Sequence, residues 1–473
     1  MTTTEAARPL PASLGWALGS GTILQGLNSA VLAVALVSIG RDLGVDDAGA
    51  LAWVVTALYL SAAVASPTGG RLADLFGPRR VYLVGLAIAL VASVAGPFVP
   101  SVGWLVADRV LLGVGTALQF PTAMAVVRRQ ARLLGAQPAS ALGVIALCGQ
   151  TTAALGPTIG GPIVALWGWQ GIFWVNVPIV ANAAFWVLRV VPADPPLPRA
   201  GARETLRTLD PVGLLLFVGT LVPLMLGLLS LDGSPQWWWF VVTAALLALL
   251  VAWSARSARP FLDVRLLARS PGVWRTCVRA VVTFVSFYAI FYGLPQWLEV
   301  ARGMSPAHAG LLMFPVFGVG VLSTLAASRL AARVRPRVLL VLGSLAMVVA
   351  GVLAVTVVDA DAPVWLLVLL GVLLGLPNGF NNLGNQLVLH ESVAEQHAGV
   401  ASGLYRTAQY IGAALASVVV ATAVVPTAGG AAADGAGAAG DGGIGALGAW
   451  IAGLGAVLLL GSLVVLLRER RRA

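Results

Sequence analysis

The chain has no lysine; all 29 of its basic residues are arginine. Without lysine no G-x-x-x-x-G-K-[ST] loop can be written, which argues against an ATP-driven pump of the P-loop kind within this chain. Charge is scarce as well, at 10% of 473 residues, where a soluble domain carries about 25%. The two cysteines, Cys148 and Cys277, lie far apart in or near apolar runs, so no disulfide framework is implied. Two of the three histidines stand in "HESVAEQH", which is neither H-E-x-x-H nor a common zinc spacing, and no metal site is expected. Ser/His/Asp catalysis has no local signature. The N-terminal "MTTTEAARPLPASLGWALGS" has a single arginine and no clear cleavage site after its apolar run. It reads as a retained first span rather than a signal peptide.

What the chain has in abundance is apolar surface. Hydrophobic residues make up 59% and the mean hydropathy is +0.91, so the protein is expected to dissolve in a bilayer. A spanning helix needs about 20 mostly apolar residues. Fourteen such stretches are found, at roughly 14–38, 50–69, 80–99, 103–127, 140–165, 171–191, 211–231, 237–255, 273–298, 307–327, 337–358, 363–388, 398–425 and 444–467. An even count places both termini on one side. Loops after even-numbered spans hold Arg71, Arg79 and Arg80, then Arg128, Arg129 and Arg132, and so on to Arg329, Arg333, Arg335 and Arg337. Loops after odd-numbered spans hold only Arg41 and Arg302. The arginine-rich side is therefore expected to be cytoplasmic, with the "RERRRA" tail in agreement. The loop "HESVAEQHAG" misfits, having no arginine. The net charge of +10 is spread singly and in short clusters between apolar runs, as topology signals rather than a nucleic-acid surface.

Two stretches divide the chain. "VPADPPLPRAGARETLRTLDP" reads as a cytoplasmic linker, and residues 427–445, rich in glycine and alanine, read as a flexible extracellular loop. The expected organisation is a six-helix bundle over 1–191, a linker over 192–210, two inserted helices over 211–255 and a second six-helix bundle over 256–473. An internal repeat supports two related halves: "GRLADLFGPRRVYL" after the second span and "SRLAARVRPRVLL" after the tenth. Repeated halves about a pseudo-symmetry axis are a signature of secondary transporters.

On these features, over nearly its whole length, the chain resembles the major facilitator superfamily, and within it the fourteen-span drug:proton antiporters. Gly70, Asp74, Gly77, Arg79 and Arg80 match the family's cytoplasmic loop signature. Gly70 and Gly77 permit a tight reversal, and Asp74 can accept from helix N-termini or pair with arginines in a cluster that is made in one conformation and broken in another. Gly156, Pro157, Gly160 and Gly161, in "AALGPTIGG", look like the fifth-span antiporter signature. Proline removes a helical hydrogen bond and small residues let a neighbouring helix approach, so such a helix serves as hinge or seal, or merely packs. Arg109, Gly113 and Gly115 match the fourth-span arginine motif, with Leu112 where glutamine is common.

Asp108 and Arg109 lie roughly 8 Å below the outer boundary; they act inside the membrane or reach back to the headgroups. Asn28 stands where the family's first-span signature typically has aspartate. Asparagine hydrogen-bonds but does not titrate, so proton coupling, expected from the resemblance, would fall to Asp108, Arg109 or Glu299. Asn28 and Arg109 lie at comparable depth and could meet in a central cavity. Asn378, Asn381, Asn382 and Asn385 share one helical face, as a gate or as interhelical glue. Gln150 and Thr151, together with Tyr288, Tyr292 and Gln296 at i, i+4 and i+8, could line a substrate path or simply pack. Arg406, about two turns into its span, wants a partner, with Glu391 or Glu395 nearest in sequence. Tryptophans at 167, 169, 174 and 237–239 are expected at the interface.

The resemblance implies an all-α polytopic inner-membrane (plasma-membrane) protein and a secondary exporter. It would work with amphipathic organic compounds, the lipid bilayer and protons as its partners, and with no nucleic acid. Both termini would be cytoplasmic and the protein a monomer, needing no cofactor beyond the proton gradient. An uptake symporter or facilitator of the same fold, and more remotely a lipid-modifying enzyme centred on "HESVAEQH", are the alternatives.

Overall fold

A bilayer offers backbone polar groups no partner, so a chain dissolved in one satisfies them within helices. The computed structural model describes residues 10–45, 48–136, 139–195, 209–232, 234–258, 260–331, 333–392, 398–424 and 443–470, and these form helices and turns without a strand. In chain order the helices are α1 (Ala12–Ala33), α2 (Leu36–Asp42), α3 (Ala48–Phe76), α4 (Pro78–Ala95), α5 (Val102–Ala117), α6 (Gln119–Leu134) and α7 (Ala139–Trp167). There follow α8 (Gly171–Trp174), α9 (Asn176–Val190), α10 (Pro211–Leu229), α11 (Trp238–Arg256), α12 (Val264–Arg269) and α13 (Pro271–Val300). The last are α14 (Pro306–Leu312), α15 (Phe314–Ala331), α16 (Pro336–Thr356), α17 (Val364–Glu391), α18 (Ala398–Ala423) and α19 (Ile444–Arg470). Among the described residues eleven helical stretches are long and apolar enough to cross a membrane, or twelve if α1 and α2, bent by 63° at their junction, form one span. At that junction the hydrogen-bond ladder slips, Ala35 donating to Leu32 three residues back.

Packing repeats between the halves. In the first, α1 lies on α7, α3 on α5, and α4 on both α5 and α9; in the second, α13 lies on α18, α15 on α17, and α16 on both α17 and α19. The halves meet along two seams, α3 against α18 and α7 against α14 and α15, which a two-fold operation would exchange. The inserted pair α10 and α11 pack on each other, and α10 touches α3 and α18. Only 11% of the apolar stretch of α11 is buried within the protein, as a helix facing lipid should be.

The turn between α3 and α4 is tighter than expected. Gly70 lies within α3, which continues to Phe76, and Gly77 alone makes the reversal at φ 93° with Pro78 as the first residue of α4. Glycine takes that backbone region without strain, and proline's missing N–H is no loss in a first turn. Pro336 opens α16 in the same way at the repeated position.

Asp210 ties the inserted helices down: its carboxylate accepts from Gly213 N at 3.1 Å, Trp253 Nε1 at 2.8 Å and Phe261 N at 2.6 Å. Of the aromatics expected at an interface, Trp169 is instead core, 2% exposed and edge-on to Phe173; Trp167, Trp174, Trp237 and Trp238 are exposed.

Candidate substrate cavity and the seam that closes it

The glycine and proline stretch in α7 brings the halves together. A Cβ built on Gly160 would lie 2.9 Å from Val31 Cα, and one on Gly156 would overlap the Ala30 side chain, so both glycines bed α7 against α1. Gly161 faces the other half: its Cβ would lie 3.0 Å from Ala307 Cα, closer still to the Pro306 carbonyl oxygen. Thr158 donates to the Gly310 carbonyl at 3.3 Å beside it. The side chain of Pro157 lies outside the described residues, as do those of Gln150 and Thr151.

On the other seam Thr56 and Ser417 hydroxyls meet at 2.7 Å. The Tyr59 and Tyr292 hydroxyls meet at 3.0 Å, and Tyr292 also reaches the Ser29 carbonyl at 3.2 Å. All these residues lie toward the arginine-poor end of their helices, within about 17 Å of it at 1.5 Å per residue. These contacts gather at the arginine-poor end of the molecule, while at the arginine-rich end Arg71 of α3 donates to the carbonyl of Pro260, in the segment that leads into the second bundle, at 2.6 Å.

On the arginine-rich side of this seam lies a cavity of about 350 Å³ between the halves. Thr22, Gln25, Ser29, Thr116 and Phe120 line it from the first half; Phe284, Phe287, Tyr288, Phe291, Asn382, Gln386, Arg406, Gln409 and Tyr410 line it from the second. The residues at i, i+4 and i+8 on α13 therefore have separate places. Tyr288 faces the cavity, Tyr292 forms the seam, and Gln296 lies beyond it in a pocket of about 20 Å³.

The asparagine face of α17 divides too, because a 100° arc on a packed helix meets several neighbours. Asn382 lines the cavity and accepts from Tyr405 Oη at 3.2 Å and Gln386 Nε2 at 3.0 Å. Asn381 turns to Met347 Sδ at 3.3 Å, Asn385 donates to Thr283 Oγ1 at 3.3 Å, and Asn378 abuts Gly320. Arg406 has aromatic neighbours in place of an acid: its guanidinium lies 4.2 Å from the Phe120 ring centre across the halves and 5.8 Å from that of Tyr410. Glu391 is exposed and makes no described ion pair, and Glu395 and the side chain of His390 lie outside the described residues.

Asn28 and Arg109 do not face this cavity. Asn28 is buried in a reciprocal amide pair with Asn176 of α9, donating at 2.9 Å and accepting at 2.8 Å, with a further bond to the Leu24 carbonyl. Nothing in sequence flagged Asn176, 148 positions away. Arg109 is fully buried, its guanidinium 4.5 Å from the Phe173 ring centre and none of its nitrogens hydrogen-bonded. Asp108 is buried with both carboxylate oxygens unpartnered; Glu299 is buried with one oxygen unpartnered. Gly113 and Gly115 let α5 close on Leu58 and Ser61 of α3 and on Gly85 and Ala89 of α4.

At the arginine-rich end three of the motif residues, Asp74, Gly77 and Arg80, line a second cavity of about 470 Å³ together with Arg128, Arg129 and Arg132, whereas Gly70 and Arg79 do not. The role expected of Asp74 falls on another acid. Asp74 is exposed, whereas Asp194, from the stretch read as linker, accepts from the Arg80 backbone N–H at 2.8 Å and pairs with Arg129 at 2.8 Å. A carboxylate at the start of α4 meets the positive end of the helix dipole. Arg79 reaches the Leu188 carbonyl at 2.9 Å.

A membrane-embedded, two-fold repeated helical bundle with a cavity between its halves and a seam closing one end has the architecture of a secondary transporter. The sequence matches the Major Facilitator Superfamily over residues 18–417, and the chain belongs to that family; it is a transporter and not an enzyme. It is 30% identical over 407 residues to an uncharacterized MFS-type transporter, YwoD, of Bacillus subtilis (strain 168), covering 85% of this chain and 88% of that protein. It is 29% identical to the tetracenomycin C resistance and export protein of Streptomyces glaucescens (87% and 75% covered). Identity to the puromycin resistance protein pur8 of Streptomyces alboniger is 32% (83% and 78% covered). Among solved structures, the nucleoside transporter NupG superposes with a TM-score of 0.65 at 13% identity, covering 95% of this chain and 98% of that one; at that identity the likeness concerns the fold.

Proposed function

We propose that this chain is a fourteen-span exporter of amphipathic antibiotics or related drugs, working by alternating access and driven by proton antiport. The observation that carries the reading is the cavity on the arginine-rich side of a closed interhalf seam. With the arginine-rich loops cytoplasmic, both termini lie in the cytoplasm and the cavity stands on that side, in the state that loads cargo from within. Resistance and export relatives support an outward direction. The fourteen-span count adds α7 and α18, helices of 29 and 26 residues that occupy equivalent places in the two halves, to the twelve already found. Proton coupling would rest on Asp108 or Glu299, titratable groups held out of water with unpartnered oxygens, since Asn28 carries no proton.

Efflux of a panel of labelled antibiotics from cells and inverted vesicles, with and without a protonophore, tests the reading. Export should stop when the gradient collapses, and Asp108→Asn or Glu299→Gln should abolish proton-driven transport. Export that persists without a gradient would reject antiport, and accumulation in cells in place of efflux would favour an uptake symporter of the same fold.

A further inference from the structure

The cavity between the halves carries one formal charge and two unanswered donors. Among its lining residues there is no aspartate or glutamate, and Arg406 is the sole ionised side chain. The Nε of Arg406 is buried with no acceptor. So is Nε2 of Gln25 on the opposite wall, whose Oε1 is already taken by Thr116 Oγ1 at 2.5 Å. A buried donor without an acceptor is costly, and a bound molecule that brings oxygen acceptors would relieve both sites at once.

The remaining wall is a shelf of rings. Phe287 lies edge-on to Tyr288 at 5.0 Å, and Tyr288 to Phe291 at 5.6 Å. Such a surface favours flat apolar ligands. Resting on the export reading, we propose that the cavity selects planar aromatic anions, molecules with a fused-ring body and a carboxylate or ionised phenol. The rings lie on the shelf of α13, and the anionic oxygens take the free donors of Arg406 and Gln25. With no acid in the lining, an organic cation gains no counter-charge and meets Arg406 with like charge.

Direct binding to the purified full-length protein tests this apart from transport. The probes are anthracene-2-carboxylate, its uncharged carboxamide and the cationic aminomethyl analogue. In wild type the carboxylate should bind about tenfold more tightly than the carboxamide, the advantage of a hydrogen bond to a charged group in a half-solvated site, and the cation more weakly than either. Arg406→Gln should bring the carboxylate to the carboxamide's affinity while the carboxamide changes less than about threefold; Arg406→Lys should keep part of the difference. Should Arg406→Gln fail to fold, the wild-type ranking alone decides. A cation bound as tightly as the carboxylate, no binding by any of the three, or an unchanged ratio in a folded Arg406→Gln protein would overturn the proposal. The expected ranking without export from vesicles would leave this site standing and remove the export reading; vesicle export of cations without carboxylate binding would do the reverse.

Discussion

Gly161→Ala should move the balance between the two ends of the transport cycle. A Cβ at this position would lie 3.0 Å from Ala307 Cα and nearer still to the Pro306 carbonyl, where relaxed carbon contacts need about 3.5 to 4.0 Å. The obstructing atoms are backbone at the start of α14, so no side chain can rotate away, and the halves must separate by several tenths of an ångström. Overpacking of this kind costs about 1–3 kcal/mol. The penalty falls only on the conformation whose seam is shut, so the ratio of open to shut forms should rise by about 5- to 150-fold. Spin labels at Asp42→Cys and Asp361→Cys, both exposed at the arginine-poor end of different halves, with Cys148 and Cys277 replaced by alanine, would report the change by pulsed electron resonance. A new, longer distance should gain population in Gly161→Ala. The control is Gly453→Ala, where an added methyl meets nothing within 4 Å and helix propensity favours alanine by about 1 kcal/mol; it should leave the distances alone. An unchanged distribution in a folded Gly161→Ala protein would refute the seam as a state-specific contact.

Other substitutions read other contacts. Asn176→Ala removes two reciprocal hydrogen bonds and leaves Asn28 with its link to Leu24; it should destabilise by about 1–3 kcal/mol, and adding Asn28→Ala should cost little more, as thermal unfolding in detergent would show. Asp210→Ala abandons three donors that join α10, α11 and the Phe261 backbone. Proteolysis around residues 257–262 should accelerate, with a local loss of at least about 3 kcal/mol, and much less in Asp210→Asn; equal rates would remove Asp210 from this role. Tyr292→Phe deletes the hydroxyl shared by Tyr59 and the Ser29 carbonyl. A cysteine at Leu51, which lines the small pocket beyond the seam, should then be labelled by maleimide several-fold faster, in line with about 1 kcal/mol lost from the closed form.

Much of the architecture is legible in the one-dimensional chain because a bilayer imposes a strong rule: every crossing segment must be long, apolar and helical. The span positions, the repeated turns at Pro78 and Pro336, and the asymmetry of arginine follow from reading residues in order. The small residues of α7 could be read as a place of close approach, but their spacing does not say which helix approaches.

What only the tertiary structure decided is the partner of each polar group. Helical periodicity assigns a residue to a face, while the identity of the facing helix depends on how the bundles pack. That is why Asn28 pairs with Asn176 and not with Arg109, why Tyr292 belongs to the seam and Tyr288 to the cavity, and why Arg406 meets Phe120 instead of a glutamate. It is also why Asp194, unremarkable in a proline-rich stretch, holds the first turn of α4 and Arg129 while Asp74 faces solvent. The sequence by itself determined that this protein lives in a membrane as two related helical halves. Where those halves touch, and which few polar atoms remain unmatched in the space between them, depends on three-dimensional proximity between residues hundreds of positions apart.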